Sequence, residues 1–213
     1  LIREYHAGTD DLLMDDASRV RVEKFARGLE NPEGRGILFQ SLLRPHVQLA
    51  ELCCERLSTA RVMVLIEPGR APEIYRAVWK IPRKFNIIDN FESGSTGNLL
   101  GRVDLVSGAV KRVIQGYGPG IRELDSHPDS GLPFAGLHLP DWPQAVEVIL
   151  AAAAQLPELR FQHWDLAFTD RGPVPIEVNL FAAGGTELSQ LVDGIGLLED
   201  RLLVLNGLRP LYP

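Results

Sequence analysis

Short apolar stretches separated by Pro- and Gly-containing turns predict more strand than helix in the middle of the chain. Two strands are expected at residues 61–67 and 73–80, because the Pro-Gly-Arg-Ala-Pro segment between them is turn-forming by composition. A second hairpin is expected around the turn Val106-Ser107-Gly108. Helical spacing predicts helices at 46–57 and 142–156, besides a short one before residue 30. Hairpins interleaved with helices indicate an α+β fold with a largely antiparallel sheet and flanking helices.

The composition excludes several classes of protein. With 213 residues, of which 45% are hydrophobic, the chain can bury a sizeable core, which argues against wholesale disorder. Its longest apolar run, at 148–154, is far shorter than the ~20 residues of a membrane-spanning helix. A net charge of −6 without a basic block argues against nucleic-acid binding. Two adjacent cysteines, Cys53 and Cys54, suggest neither a disulfide framework nor a zinc site and fit a cytoplasmic setting. Since the chain begins at Leu1, it is expected to be a piece of a longer protein.

The segment 161–180 is predicted to carry the chemistry. Residues 161–168 and 174–180 have strand composition, and the turn 169–173 between them contains Gly and Pro. Because side chains alternate along a strand, one face of this hairpin is apolar and the other is polar. The predicted polar face carries His163, Asp165, Glu177 and Asn179.

The register of this hairpin decides whether two carboxylates meet. If Phe168 faces Val174 across the turn, Asp165 lies directly opposite Glu177. Two opposed carboxylates lie about 4.5–5.5 Å apart at Cβ and repel each other. A magnesium ion would relieve this repulsion, since carboxylate and amide oxygens are its usual ligands. A solvated face with a basic neighbour is the alternative interpretation.

Several segments together resemble the sugar-transfer-associated branch of the ATP-grasp enzymes. Asp165 is followed by Glu177 and Asn179 in a Glu-x-Asn arrangement, which is similar to the magnesium-binding signature of these enzymes. The accompanying segments are Leu-Phe-Gln-Ser-Leu-Leu at 38–43, Ser-Thr-Ala-Arg-Val at 58–62, Ile-Asp-Asn-Phe-Glu-Ser-Gly at 88–94, Val-Asp-Leu-Val-Ser-Gly at 103–108 and His-Pro-Asp-Ser-Gly at 127–131. The resemblance covers roughly residues 36–200 and implies an ATP-grasp-like fold.

The resemblance also implies a set of site residues. Asp165, Glu177 and Asn179 would hold Mg²⁺ that bridges the ATP phosphates. Arg61 and Lys80 would be catalytic, with Arg61 reaching the transferred phosphoryl group. Contacts to ATP are expected from Gln40, Ser41 and Leu42 at the adenine hinge and from Arg61. Loops expected around the phosphates or the acceptor substrate are matched by Asn90, Gly94, Gly184 and Gly185, with Thr186 beside the last two. These positions also have purely structural alternatives: Arg61 as a surface arginine, Lys80 as a solvated lysine at a strand end, and the glycines as ordinary turn residues.

Two lobes are expected by the same resemblance. Residues 1–40 would form a partial N-terminal or lid lobe that ends in the adenine hinge strand, with a buried strand at 37–39, and residues 41–213 would form the catalytic lobe. The glycine-rich phosphate lid of the family has no clear match near Arg3, His6 or Lys24, so the N-terminal lobe is expected to be truncated or degenerate.

The implied activity is that of an ATP- and Mg²⁺-dependent ligase. It would join a small-molecule carboxylate to an amine or hydroxyl acceptor through an acyl phosphate, releasing ADP and phosphate, and the acceptor would be a saccharide or surface-polymer precursor. The alternatives are an ATP-grasp kinase and a degenerate, non-catalytic nucleotide-binding scaffold. His163 is predicted to be a hydrogen-bonded support for the two acids, with a general base as its alternative role.

Overall fold

The computed structural model describes residues 2–14, 16–29, 40–179, 188 and 192. Contacts between Cα atoms divide the chain into two compact units, Leu1–Leu42 and Leu43–Pro213. The predicted strand at 37–39 lies outside the described residues.

The first unit contains a small antiparallel sheet of three strands in the order β1-β2-β3, followed by a helix. Its elements are β1 (Ile2–His6), β2 (Asp11–Met14), β3 (Arg19–Arg21) and α1 (Val22–Gly28). The helix is the short one expected before residue 30, whereas the three strands were not predicted. They are short and mostly exposed, with Leu12 as their buried hydrophobic residue, so the sequence carries little alternation to reveal them.

The second unit is built on a seven-stranded sheet in the order β10-β9-β4-β5-β6-β7-β8, and neighbouring strands pair antiparallel throughout. Its strands are β4 (Thr59–Leu65), β5 (Glu73–Ile81), β6 (Leu99–Val103), β7 (Val110–Gln115), β8 (Arg122–Glu123), β9 (Phe161–Thr169) and β10 (Gly172–Asn179). The described helices of this unit are α2 (Val47–Ala50) and α3 (Trp142–Ala153). The α+β architecture and the two hairpins β4–β5 and β6–β7 confirm the prediction.

One face of the large sheet packs against α3 and forms the main core. The buried side of α3 consists of Trp142, Ala145, Ile149 and Ala153, a spacing that returns to one helical face. Their partners on the sheet include Trp79, which is fully buried. The helix ends at Ala153, three residues before the predicted end at 156.

The opposite face of the sheet carries a smaller apolar cluster and the charged residues described below. The cluster consists of Met63, Val78, Phe91, Leu100, Ile114, Leu188 and Val192. Because residues two apart on a strand share a face, Arg61 lies on the side of Met63, and Lys80 lies on the side of Val78. The main core therefore lies on one face of the large sheet. On the other face, apolar and ionised side chains lie next to each other.

The helix predicted at 46–57 is only one turn long. It comprises Val47–Ala50, and Cys54 and Glu55 further along have positive φ angles of 51° and 61°, which no α-helix contains. Leu49 and Cys53 are buried, whereas Val47 is exposed.

The register of the β9–β10 hairpin differs from the prediction near the turn and agrees with it further on. The turn is tight, with Thr169 opposite Gly172, so Phe168 faces Pro173 rather than Val174. Gly172 has a φ of 96°, which permits this turn at no steric cost. A bulge at Ile176 then shifts the register by one residue, and Asp165 lies opposite Glu177 as predicted. The bulged residue, Ile176, is exposed.

Candidate functional site

A row of charged side chains crosses three neighbouring strands on the face of the large sheet that is opposite the main core. Glu177 of β10 lies opposite Asp165 of β9, and Asp165 lies opposite Arg61 of β4. In the next row along the strands, Thr59 of β4 lies opposite Lys80 of β5. Directly opposed residues in an antiparallel sheet point to the same side, so the strand pairing alone brings these five residues together.

Four of the charged side chains in this region form one buried ion cluster, which we define as Arg61, Lys80, Asp89 and Asp165. The Arg61 guanidinium pairs with Asp165 through two hydrogen bonds, Nε to Oδ1 and, at 3.1 Å, Nη2 to Oδ2. Lys80 Nζ lies 3.2 Å from Asp165 Oδ2 and 3.2 Å from Asp89 Oδ1. All four side chains are almost completely buried, so each depends on the others for compensation of its charge.

Asp89 is held in the ion cluster by the start of β4. Its Oδ2 accepts hydrogen bonds from the backbone nitrogen of Thr59 at 2.8 Å and from the Thr59 hydroxyl at 2.6 Å. Burial raises the pKa of Asp89, and the nearby Lys80 ammonium and the Thr59 hydrogen bonds offset only part of this effect. The carboxylate is therefore kept in place by donors that cover both of its oxygens.

The pKa of Asp165 is shifted in the opposite direction from that of Asp89. Burial on its own would raise the pKa of Asp165, but the Lys80 and Arg61 cations together outweigh it and lower the pKa. Asp165 is thus an ionised carboxylate at neutral pH and bridges the two cations.

Glu177 and Asn179 lie on the exposed edge of the same face. The Asn179 amide Nδ2 donates to Glu177 Oε1 at 3.0 Å, and the Glu177 side chain is open to solvent. With Asp165 they offer two carboxylates and one amide oxygen from adjacent strands, a donor set that suits Mg²⁺ and leaves further positions for water or phosphate. Within the described residues no three His, Cys, Asp or Glu side chains converge as in a preformed metal centre, and Asp165 is shared with Arg61 and Lys80.

His163 does not have the hydrogen bonds expected of a support for the acids. It lies opposite Asn179 and Met63 in the sheet and is 1% exposed, yet neither ring nitrogen has a hydrogen-bond partner among the residues that the structure describes. Its ring meets the Phe161 ring edge-on, with the centroids 4.5 Å apart. Burial, followed by the nearby Arg61 cation, lowers the pKa of His163 to about 4. The imidazole is therefore neutral at pH 7 and a weak base, which also disfavours the general-base role.

The loop 89–98 is held by a side chain that the sequence did not single out. Asn98 is fully buried; its Nδ2 donates to the carbonyl of Asn90 at 2.8 Å, and its Oδ1 accepts from the backbone nitrogen of Arg83 at 2.8 Å. The Asn90 side chain itself is exposed. A Cβ on Gly94 would lie 3.0 Å from the backbone of Gly116, so glycine at position 94 serves the close packing of two loops.

A second polar clamp fixes the loop 126–131 beside the end of β5. His127 is buried; its Nδ1 accepts from the backbone nitrogen of Asp129 at 3.2 Å, and its Nε2 donates to the carbonyl of Pro82 at 3.1 Å. The Asp129 carboxylate pairs with the Arg83 guanidinium at 2.6 and 2.7 Å. His127 is thus a structural residue, and His138 lies outside this loop and is exposed.

The remaining predicted ATP contacts belong to the first unit or lie outside the described residues. Gln40, Ser41 and Leu42 are exposed coil at the end of the first unit. Gly184, Gly185 and Thr186 lie outside the described residues. Asp89, Thr59 and Asn98 are the site residues that sequence reasoning missed; the one available signal was the position of Asp89 and Asn98 at the two ends of a polar loop.

A comparison with protein families matches residues 8–204 to the sugar-transfer associated ATP-grasp proteins. No protein of curated function and no solved structure matches the chain. In the part of the chain that the structure describes, none of the helices has the length and apolar character needed to cross a bilayer.

Proposed function

The chain belongs to the sugar-transfer associated ATP-grasp family, which indicates an ATP-dependent, ligase-like activity, and from this premise we propose that it joins a carboxylate to an amine or hydroxyl through an acyl phosphate. The observation that carries the proposal is the row Arg61–Asp165–Glu177, with Lys80 beside it, on one face of the sheet. This row places two fixed cations next to oxygen ligands suited to Mg²⁺.

Arg61 and Lys80 are proposed to stabilise the charge of the transferred phosphoryl group. Asp165 holds both cations, and Asp89 holds Lys80 from its other side, so neither cation has to reorganise when charge develops. A preorganised cation in a buried setting acts more strongly on a phosphoryl group than a solvated one does.

Asp165, Glu177 and Asn179 are proposed to hold Mg²⁺. When bound, the ion would neutralise charge on the phosphate oxygens. Glu177 and Asn179 are accessible from solvent, and their mutual hydrogen bond already orients them side by side. Asn90, Gly94, Gly184 and Gly185 are proposed to surround the phosphates, and Gln40, Ser41 and Leu42 to meet the adenine.

The substrate carboxylate would attack the γ-phosphorus of ATP and release ADP; an amine or hydroxyl would then attack the acyl carbon of the acyl phosphate and release phosphate. The acceptor is proposed to be a saccharide or surface-polymer precursor, and the description of the family as sugar-transfer associated supports the saccharide. We also propose a cytoplasmic setting, which the free thiols of Cys53 and Cys54 support.

One observation favours a second candidate, a non-catalytic nucleotide-binding scaffold. Both oxygens of Asp165 are engaged by Arg61 and Lys80, which reduces their capacity to bind a metal ion. A protein of this kind would bind ATP without turning it over.

Product analysis tests the proposal. The protein is incubated with ATP, Mg²⁺ and panels of candidate acids and amines, and nucleotide products are separated by chromatography. ADP with phosphate and a condensed product is expected; AMP would contradict an acyl-phosphate route, and a stable phosphorylated product without condensation would indicate a kinase. Tight ATP binding by calorimetry with no turnover across the panels would indicate the scaffold.

A matched pair of variants tests the metal role of Glu177. Glu177→Gln is expected to abolish turnover, because it removes a charged oxygen ligand, and to leave the thermal unfolding temperature unchanged, because the side chain is exposed. Glu147→Gln makes the same chemical change on the exposed side of α3 and should retain full turnover. Near-normal turnover by Glu177→Gln would contradict its assigned role.

A further inference from the structure

The loop 83–88, which connects β5 to Asp89 of the ion cluster, exposes three large apolar side chains within four residues. Phe85 is 66% exposed, Ile87 82% and Ile88 57%. Isolated exposed apolar residues are common on protein surfaces, whereas a contiguous group marks an interaction surface. This group, which we name the apolar tip, is Phe85, Ile87 and Ile88.

Hydrogen bonds fix the position of the loop that carries the apolar tip. The Lys84 nitrogen donates to Asp129 at 2.9 Å, and the Lys84 carbonyl accepts from Arg56 Nε at 2.9 Å. The Asn86 side chain donates to Asn98 Oδ1 at 2.6 Å. Because the loop is held at both backbone groups of Lys84 and at Asn86, the apolar tip stays exposed to water, which is unfavourable for apolar side chains.

The charge around the apolar tip is basic, in contrast to the chain as a whole. Residues 83–88 contain Arg83 and Lys84 and no acid. Arg56, which follows α2 in the chain, donates a hydrogen bond to the Lys84 carbonyl. Among the described residues Asp129 is the carboxylate bonded to the loop, and its ion pair with Arg83 is neutral, so Lys84 and Arg56 carry the net positive charge here. The whole chain carries a net charge of −6, so Lys84 and Arg56, which we name the basic collar, form a local region of positive charge.

Apolar side chains next to basic ones fit the interface of an anionic lipid bilayer, where apolar groups enter the acyl boundary and cations meet the headgroups. A second copy fits less well, since a symmetric contact through this loop would bring the cations Lys84 and Arg56 against their own copies, whereas an anionic bilayer meets them with opposite charge. We propose that the loop 83–88 docks on an anionic membrane surface by inserting the apolar tip.

Docking at this loop would hold the ion cluster at the membrane surface, because Asp89 directly follows Ile88. If the proposed ligase function holds, its substrate would be an amphiphile presented at the bilayer, such as a lipid-linked saccharide. This extension rests on the proposed function, whereas lipid binding itself does not.

Vesicle co-sedimentation tests the proposal directly. The full chain is mixed with vesicles of phosphatidylcholine alone or with phosphatidylglycerol, and the bound fraction is measured against lipid concentration. Binding to the anionic vesicles is expected, weakening as salt is added. The double variant Phe85→Ser/Ile87→Ser is expected to bind at least about tenfold more weakly, because it removes most of the inserted apolar area. Lys84→Gln should weaken binding and reduce its salt dependence.

Val106→Ser is the matched control, because Val106 is 92% exposed on the turn between β6 and β7 and lies outside the basic collar. Its lipid binding should equal that of the unsubstituted chain, and circular dichroism should show all variants folded. Absence of binding to anionic vesicles, or an equal loss in Val106→Ser, would overturn the proposal. Light scattering that shows a dimer, lost in the double variant, would overturn it in favour of a second copy as the occupant.

Discussion

The pair between Asp129 and Arg83 is predicted to make the stability of the second unit depend on pH in the acid range. Asp129 receives two hydrogen bonds from the Arg83 guanidinium, at 2.6 and 2.7 Å, and a third from the backbone nitrogen of Lys84 at 2.9 Å. Both ionic side chains are largely buried. Replacement of Asp129 by Asn keeps the shape of the side chain and removes its charge.

The magnitude follows from the pKa of the carboxyl group. Hydrogen bonds from Arg83 lower the pKa of Asp129 from 3.8 to about 2, against an opposing effect of burial. At about 1.4 kcal/mol per pKa unit, ionised Asp129 contributes about 2 kcal/mol to the free energy of unfolding. Because the pKa is lower in the folded state, this contribution is complete above about pH 4 and is lost as the pH falls towards 2.

Urea unfolding followed by tryptophan fluorescence measures this effect. All three tryptophans, Trp79, Trp142 and Trp164, belong to the second unit, so the signal reports on that unit alone. Asp129→Asn is expected to lower the free energy of unfolding by about 2 kcal/mol at pH 7. The difference should shrink towards zero between pH 4 and pH 2.

The exposed Asp125 provides the control, since Asp125→Asn makes the same substitution in the same loop region and should change stability little. A loss in Asp129→Asn that stays constant from pH 7 to pH 2 would refute the electrostatic reasoning and assign the effect to packing.

Two further substitutions test the packing of the site. Lys80→Met is expected to lower the free energy of unfolding by about 3–5 kcal/mol, since it leaves two buried carboxylates with one cation fewer, whereas Lys84→Met on the exposed loop should be neutral in the same urea titration. Gly116→Ala is expected to lower the melting temperature far more than Gly118→Ala: both have positive φ, but a Cβ at 116 would lie 2.3 Å from the Gly120 carbonyl oxygen, and one at 118 would meet open space. Equal effects within either pair would contradict the corresponding contact.

The sequence predicts the parts of the sheet that local composition specifies. The β4–β5 hairpin follows from a Pro- and Gly-containing turn between two apolar stretches, and the structure confirms it. The pairing of Asp165 with Glu177 was predicted from a turn that was wrong by one residue, with Phe168 facing Pro173 instead of Val174. The bulge at Ile176 compensates for this difference, and no feature of the sequence signals it.

The ion cluster could be predicted only in part, because its contacts join distant segments. Lys80 and Asp165 are 85 residues apart, and Thr59 and Asp89 are 30 apart. The resemblance to a family identified Arg61, Lys80 and Asp165, but neither it nor local composition indicated that Asp89 would share Lys80. Residues whose role depends on such long-range pairing carry no local signal.

The charge balance of the site bears on how a nucleotide would bind. The ion cluster is formally neutral, with two cations and two carboxylates, and Glu177 adds one negative charge at its edge. A triphosphate placed beside these five side chains would therefore face a net charge of −1 from them, even though Arg61 and Lys80 are close. A divalent cation on Asp165, Glu177 and Asn179 would reverse the sign of that charge. In the proposed reaction, magnesium and ATP are thus expected to bind together rather than independently.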